Sequence, residues 1–137
     1  VNAEEFRGAV GTVFITGWGD ETPVFSPNSE KGSIPASDPY VEFAFDFGDS
    51  ELNELTGPVK HEKTPGMVLI KVFVPTGKGD AAALTLADKA ATIFRRKNVS
   101  LNTGLVRFRS PTVRPIGLFE GHYQVNVLCP FDLYAVH

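Results

Sequence analysis

The sequence predicts an α+β domain: a mostly antiparallel sheet of four to five strands with one long and one short helix. Three stretches carry this reading. Met67 to Val74 is apolar except for Lys71, as in a strand buried on both faces, and a glycine turn leads from it into an Ala-rich helix. Tyr40 to Phe47 alternates, with Val41, Phe43, Phe45 and Phe47 facing one way and Tyr40, Glu42, Ala44 and Asp46 the other. His122 to Tyr134 alternates as well, with Val125, Val127, Cys129, Phe131 and Leu133 toward a core and Gln124, Asn126, Leu128 and Asp132 away from it.

A length of 137 residues predicts a single domain. A chain of this size buries roughly two-thirds of its unfolded surface and needs no covalent staples. No apolar run reaches the ~18 residues of a membrane-spanning helix. The opening VNAEEF has neither the basic nor the apolar region of a signal peptide, and the lack of a leading Met implies a processed or trimmed start. One cysteine excludes an intrachain disulfide framework and suits a reducing interior. The net charge of −3 argues against a bulk electrostatic grip on nucleic acid.

In chain order, Asn2 to Ile15 predicts a short helix. Asn2 and Glu5 have the spacing of a capping box, and Phe6, Val10, Val13 and Phe14 recur on one face. Gly8 and Gly11 weaken it by ~1 kcal/mol each relative to alanine. Thr16 to Pro39 reads mostly as loop, punctuated by Gly and Pro. Within it, Val24-Phe25 suits a short edge strand, and Trp18 reads as a packing anchor rather than a ligand platform. Gly48 to Pro65 is a long polar connection of mixed charge that would join two strands as an extended hairpin. It suits either a protein-contact arm or a solvated flap. After the central strand, Pro75 and Thr76 to Gly79 turn the chain, and Asp80 caps the helix. Leu86, Ala87, Ala90, Ile93 and Phe94 form its apolar face, widened by Leu84 and Ala91, and Arg95, Arg96 and Lys97 suit its C-terminal end. Gly104 to Ser110 alternates again. Gly117 to Gly121 reads as the turn before the last strand, in which Pro130 points to an edge or a bulge.

The chemistry that would mark an enzyme is not visible. Gly77-Lys78-Gly79 lacks both phosphate-loop patterns, and Asp80 would repel an anion at that helix start. His61, His122 and His137 have no zinc-ligand spacing with one another or with Cys129, which reads as an inert core thiol. No nucleophile elbow is present. The sequence therefore predicts a non-enzyme with no cofactor and no metal.

Several pieces carry a resemblance: VFSPN at Val24 to Asn28, PYVEFAF at Pro39 to Phe45, GMVLIKVFVPTGKGDAAALTLADKAATIF at Gly66 to Phe94, and GHYQVNVLCPFDLY at Gly121 to Tyr134. Together they cover most of the chain, and it resembles the phage tail-terminator-like family, small tail-end proteins of long-tailed phages. The mixed-charge KHEKTP stands where that family often has a Gly- and Arg-rich stretch. The resemblance implies an α/β sandwich, an antiparallel or mixed sheet with the helices packed on one face. It also implies a homohexameric ring in the virion, assembled in the host cytoplasm. Such a ring caps the head-proximal end of the tail tube, ends its polymerisation and meets the head-completion or neck proteins. DNA would pass through the lumen without specific binding, and no membrane is involved. The alternative within the same setting is another tail or neck component, a tube or head–tail adaptor protein.

The candidate contact residues follow from charge and placement. Glu51, Glu54, Lys60, Glu62 and Lys63 lie in the arm at about 48–65. Arg107, Arg109 and Arg114 suit one wet face, where they could pair with carboxylates of a neighbouring subunit.

Overall fold

The run Met67 to Val74 is the second half of one of the two longest strands in the computed structural model, which describes residues 3–19, 22–25, 39–48, 51–52, 61–75, 77, 80–102, 104–119 and 121–136. The elements in order are α1 (Ala3–Trp18), β1 (Val24–Phe25), β2 (Tyr40–Phe47), β3 (Glu51–Leu52), β4 (His61–Pro75), α2 (Asp80–Phe94), β5 (Asn98–Leu101), β6 (Gly104–Phe108), β7 (Thr112–Phe119) and β8 (His122–Val136). The strands form one sheet in the order β1-β2-β4-β8-β6-β5, with β3 added to β4 and β7 added to β8.

This corrects the expected sheet in two respects. Among the described residues it has eight strands rather than four or five, and it is mixed rather than mostly antiparallel, because β1 runs parallel to β2. The expected contrast of helix lengths is also corrected: α1 has 16 residues and α2 has 15.

The strands β4 and β8 pair antiparallel over their full length, from His61↔Val136 to Pro75↔His122. For β2 and β8 the face toward the helices is the one the alternation predicts, but β4, expected to be buried on both faces, is corrected: both helices lie on one side, and Met67, Leu69 and Lys71 on the other face are only half-buried. Val68, Ile70, Val72 and Val74 of β4, Val41 and Phe43 of β2, and Val125, Val127, Cys129, Phe131 and Leu133 of β8 are buried on one face. Both helices pack there. Helix α1 contributes Phe6, Val10, Phe14 and Trp18, spaced by four residues so that they form one stripe. Helix α2 contributes Ala83, Ala87, Ala90, Ala91 and Phe94, all fully buried, whereas Leu84, Leu86 and Ile93 are only half-buried. The small alanines let α2 lie close on the sheet and leave the larger residues to fill its flanks.

The helix α1 runs past Ile15 to Trp18, through a stretch expected to be loop. The reason is tertiary. A side chain at Gly17 would strike Ile93 of α2, with Cγ1 2.9 Å from an added Cβ, so the two helices meet at a bare backbone. Trp18 is the packing anchor expected: it is 1% exposed, its Nε1 donates to Thr22 Oγ1 at 3.1 Å, and it stacks on Phe14. Asn2 of the expected capping box lies outside the described residues. The carboxylate of Glu5 instead accepts from the backbone N–H of Asn102, just beyond β5, at 2.8 Å.

Pro130 does not sit on an edge strand, since β8 has neighbours on both sides. Its carbonyl accepts from Arg109 N–H at 2.9 Å, so its nitrogen faces the β6/β7 side. There β7 stops pairing at Leu128 and β6 starts at Phe131. The missing N–H therefore falls in the joint between two strands, where no ladder acceptor waits. The expected turn at Gly117 to Gly121 is also corrected. Gly117 and Leu118 belong to β7, which pairs with β8 as far as Phe119↔His122, with an irregularity between Pro115 and Gly117.

Burial pushes the Cys129 thiol up to about 12 from an ordinary 9.0. We expect no reaction of the native thiol with a maleimide at mildly alkaline pH and full reaction once the chain is unfolded. The raised value also fixes the sign of a pH effect. Below about 9 the thiol is neutral in both states, and between 9.0 and about 12 only the unfolded chain ionises, so this group lowers stability as pH rises through that window. Denaturant midpoints measured across it, compared with those of Cys129→Ala, check the sign.

Candidate functional site

The surfaces that α1 and α2 leave uncovered are the candidate site. The face of the sheet away from the helices carries rows of residues set by register. One row runs Glu42, Lys71, Asn126, Arg114 across β2, β4, β8 and β7. Beside it lie Ala44, Leu69, Leu128 and Thr112. At one corner Tyr40 stacks on Phe73 at 4.6 Å, and His122 packs edge-on to Tyr40 at 5.2 Å. His122 is buried there among rings. No group of three or more His, Cys, Asp or Glu able to hold a metal forms among the described residues.

The predicted contact residues fall in two places. Glu54 and Lys60 lie outside the described residues. The backbone of Glu51 pairs with Lys63, and that of Leu52 with Glu62, so β3 extends the β2–β4 hairpin outward. Gly48 N–H donating to Pro65 O at 2.7 Å bridges the gap between the two pairings. Lys63 is half-buried. The arginines share the open face but divide along it, Arg107 and Arg109 beside Asp132 and Arg114 six β8 residues away. Arg107 stands opposite Asp132 in register, and Arg114 opposite Asn126. Arg109 follows β6, and its Nε lies 3.8 Å from the Asp132 carboxylate. All three arginines are exposed. A long ion pair on such a surface is worth ~0–1 kcal/mol. Arg109→Ala is therefore expected to shift the urea midpoint very little, and a large loss would show that the pair is structural.

Sequence reasoning missed two features. The first is an exposed apolar pair on β7, Ile116 at 52% and Leu118 at 74%. Among the described residues, no strand pairs with the outer side of β7. The second is a groove of about 620 Å³ on the opposite edge of the sheet, between α1 and β1. Its lining includes Gly8, Gly11, Thr12 and Ile15 on one wall and Val24 and Phe25 on the other. Its α1 wall is bare backbone at Gly8 and Gly11, where an added Cβ would meet nothing within 4 Å. Gly8→Ala is accordingly expected to raise stability by about 0.5–1 kcal/mol through helix propensity alone, measured by denaturant unfolding. A signal was present in the sequence: the glycines spaced by three on a helix, and apolar Ile116 and Leu118 alternating with Pro115 and Gly117.

Comparison with known proteins adds the following. No curated protein sequence matches the chain. A solved structure that bears no descriptive name is similar over 97% of this chain and 96% of its own, with a TM-score of 0.75 and 17% identity. A chain in a structure titled as the virion of a native gene transfer agent particle is similar over 97% of both chains, with a TM-score of 0.61 and 14% identity. At these identities the likeness is one of fold. The sequence model of the family described as phage tail terminator protein matches residues 6–131. That span runs from Phe6 of the α1 stripe to Phe131 of β8 and takes in every element that builds the core, so the chain belongs to the phage tail terminator protein family.

Proposed function

We propose that this chain forms a ring at the head-proximal end of a phage tail tube. The ring ends tail polymerisation and joins the tail to the head-completion proteins. The observation that supports this reading is the family match over residues 6–131, nearly the whole chain. The physical logic is that of a cap: a ring that copies the tube's stacking interface on one side only leaves nothing for a further ring to match. Its partners are further copies of itself, six in the ring, the tail tube protein on one side and a head-completion or neck protein on the other. The chain works in the virion after assembly in the host cytoplasm, with no cofactor and no catalytic step. DNA passes through the lumen without specific binding. A net −3 per chain fits this, since six copies carry 6 × −3 = −18.

Deletion of the gene tests the proposal. Tails of uncontrolled, extended length lacking heads are expected by electron microscopy; tails of normal length would overturn the reading. Purified protein that builds long tubes rather than single rings would point to a tube subunit instead.

A further inference from the structure

We infer that a second copy of this chain seats the β7 edge of one subunit in the groove between α1 and β1 of the next. The inference rests on the ring reading above and assigns its surfaces. The three exposed large hydrophobics among the described residues are Ile15, Ile116 and Leu118. They fall on two patches at opposite edges of the sheet. Ile116 and Leu118 project at the β7 edge, and Ile15 lines the groove at the β1 edge. One patch is a knob and the other a hollow, so each can bury apolar area on the other.

Charge points to the same pairing. Strand β2 carries Glu42 and Asp46 and no basic residue. At the opposite edge β7 carries Arg114 and no acidic residue, and Arg107 and Arg109 beside it outnumber the Asp132 carboxylate they share. Head-to-tail contact would set the edge with exposed Arg114 against the edge with exposed Asp46. A two-fold contact through β7 would instead set arginine against arginine. Because the two patches differ and lie on opposite edges, each subunit added leaves one of each unused until the circle closes.

The test is chemical crosslinking. Thr12→Cys places a thiol in the groove and Leu118→Cys one on the knob, while Cys129 is buried. A short bifunctional thiol reagent is applied to the concentrated protein and to the protein assembled in particles. A ladder of covalent multimers is expected from the double variant and from neither single variant. A covalent dimer from Leu118→Cys alone overturns the head-to-tail geometry. No ladder, with native mass spectrometry still showing a multimer, overturns these surfaces and leaves the ring reading standing. A monomer in both preparations overturns both. A second variant, Gly11→Leu, fills the groove from a position where an added Cβ meets nothing within 4 Å. It is expected to keep or raise Tm and to weaken association roughly tenfold or more. Unchanged association overturns the assignment.

Discussion

Alanine at Gly66 is expected to lower the unfolding free energy by about 3 kcal/mol, the upper range for forcing extra volume into a packed core. Gly66 stands in register between Phe47 of β2 and Phe131 of β8. The two rings close over it, edge to face, with centroids 5.9 Å apart. A Cβ there would run into the Phe131 ring and come within 2.5 Å of the Asp46 carbonyl oxygen. The ring can be removed and the carbonyl cannot. Phe131→Leu should therefore relieve part of the damage from Gly66→Ala. The double variant should be less destabilised than the two singles added together, a coupling that urea unfolding of all four proteins measures. An unchanged midpoint for Gly66→Ala would show that the backbone at this crossing is not tight.

Phe14→Ala is expected to cost about 3–5 kcal/mol, the range for truncating a buried aromatic side chain. Phe14 is fully buried where α1, α2 and β2 meet. Its ring lies 5.4 Å from Trp18, 5.4 Å from Phe43 and 6.0 Å from Phe94, stacked in each case. Removal leaves a void bounded by rigid rings on two helices and a strand, a site that collapses poorly. The neighbouring Ile15→Ala provides the contrast, because Ile15 is 51% exposed and its loss should shift stability by only about 0.5 kcal/mol. If the two variants unfolded at the same denaturant concentration, the assignment of α1's inner and outer faces would be wrong.

The parts of the fold legible in the sequence were those whose pattern is local. Tyr40 to Phe47 and Val68 to Val74 could be read as strands, but continuous apolarity in Val68 to Val74 did not encode which face the helices cover, and Leu69 and Lys71 on the other face are only half-buried. The end of α1 could not. Gly17 looks like a helix breaker until Ile93 is seen packing against its bare backbone. Strand β7 was hidden by Pro115 and Gly117, which mark turns in isolation but here flank an irregularity in a strand held by β8. The same division applies to the candidate site. Arg107, Arg109 and Arg114 were legible as a wet row from their spacing. The groove was not, since Gly8 and Gly11 count only as weak helix formers until α1 is set against β1.

The ladder between β4 and β8 has a mechanical consequence. It joins the two strands through fifteen successive registered pairs, His61↔Val136 to Pro75↔His122, a length of roughly 50 Å at ordinary strand rise. Tension applied along the strands, at opposite ends of this ladder, loads its hydrogen bonds in parallel as shear; they are not unzipped one at a time. The domain is therefore stiffest along this axis. A pull across the sheet meets less resistance at β1, which among the described residues holds β2 by the two pairs Val24↔Val41 and Phe25↔Glu42 and a bond from Val41 N–H to Pro23 O.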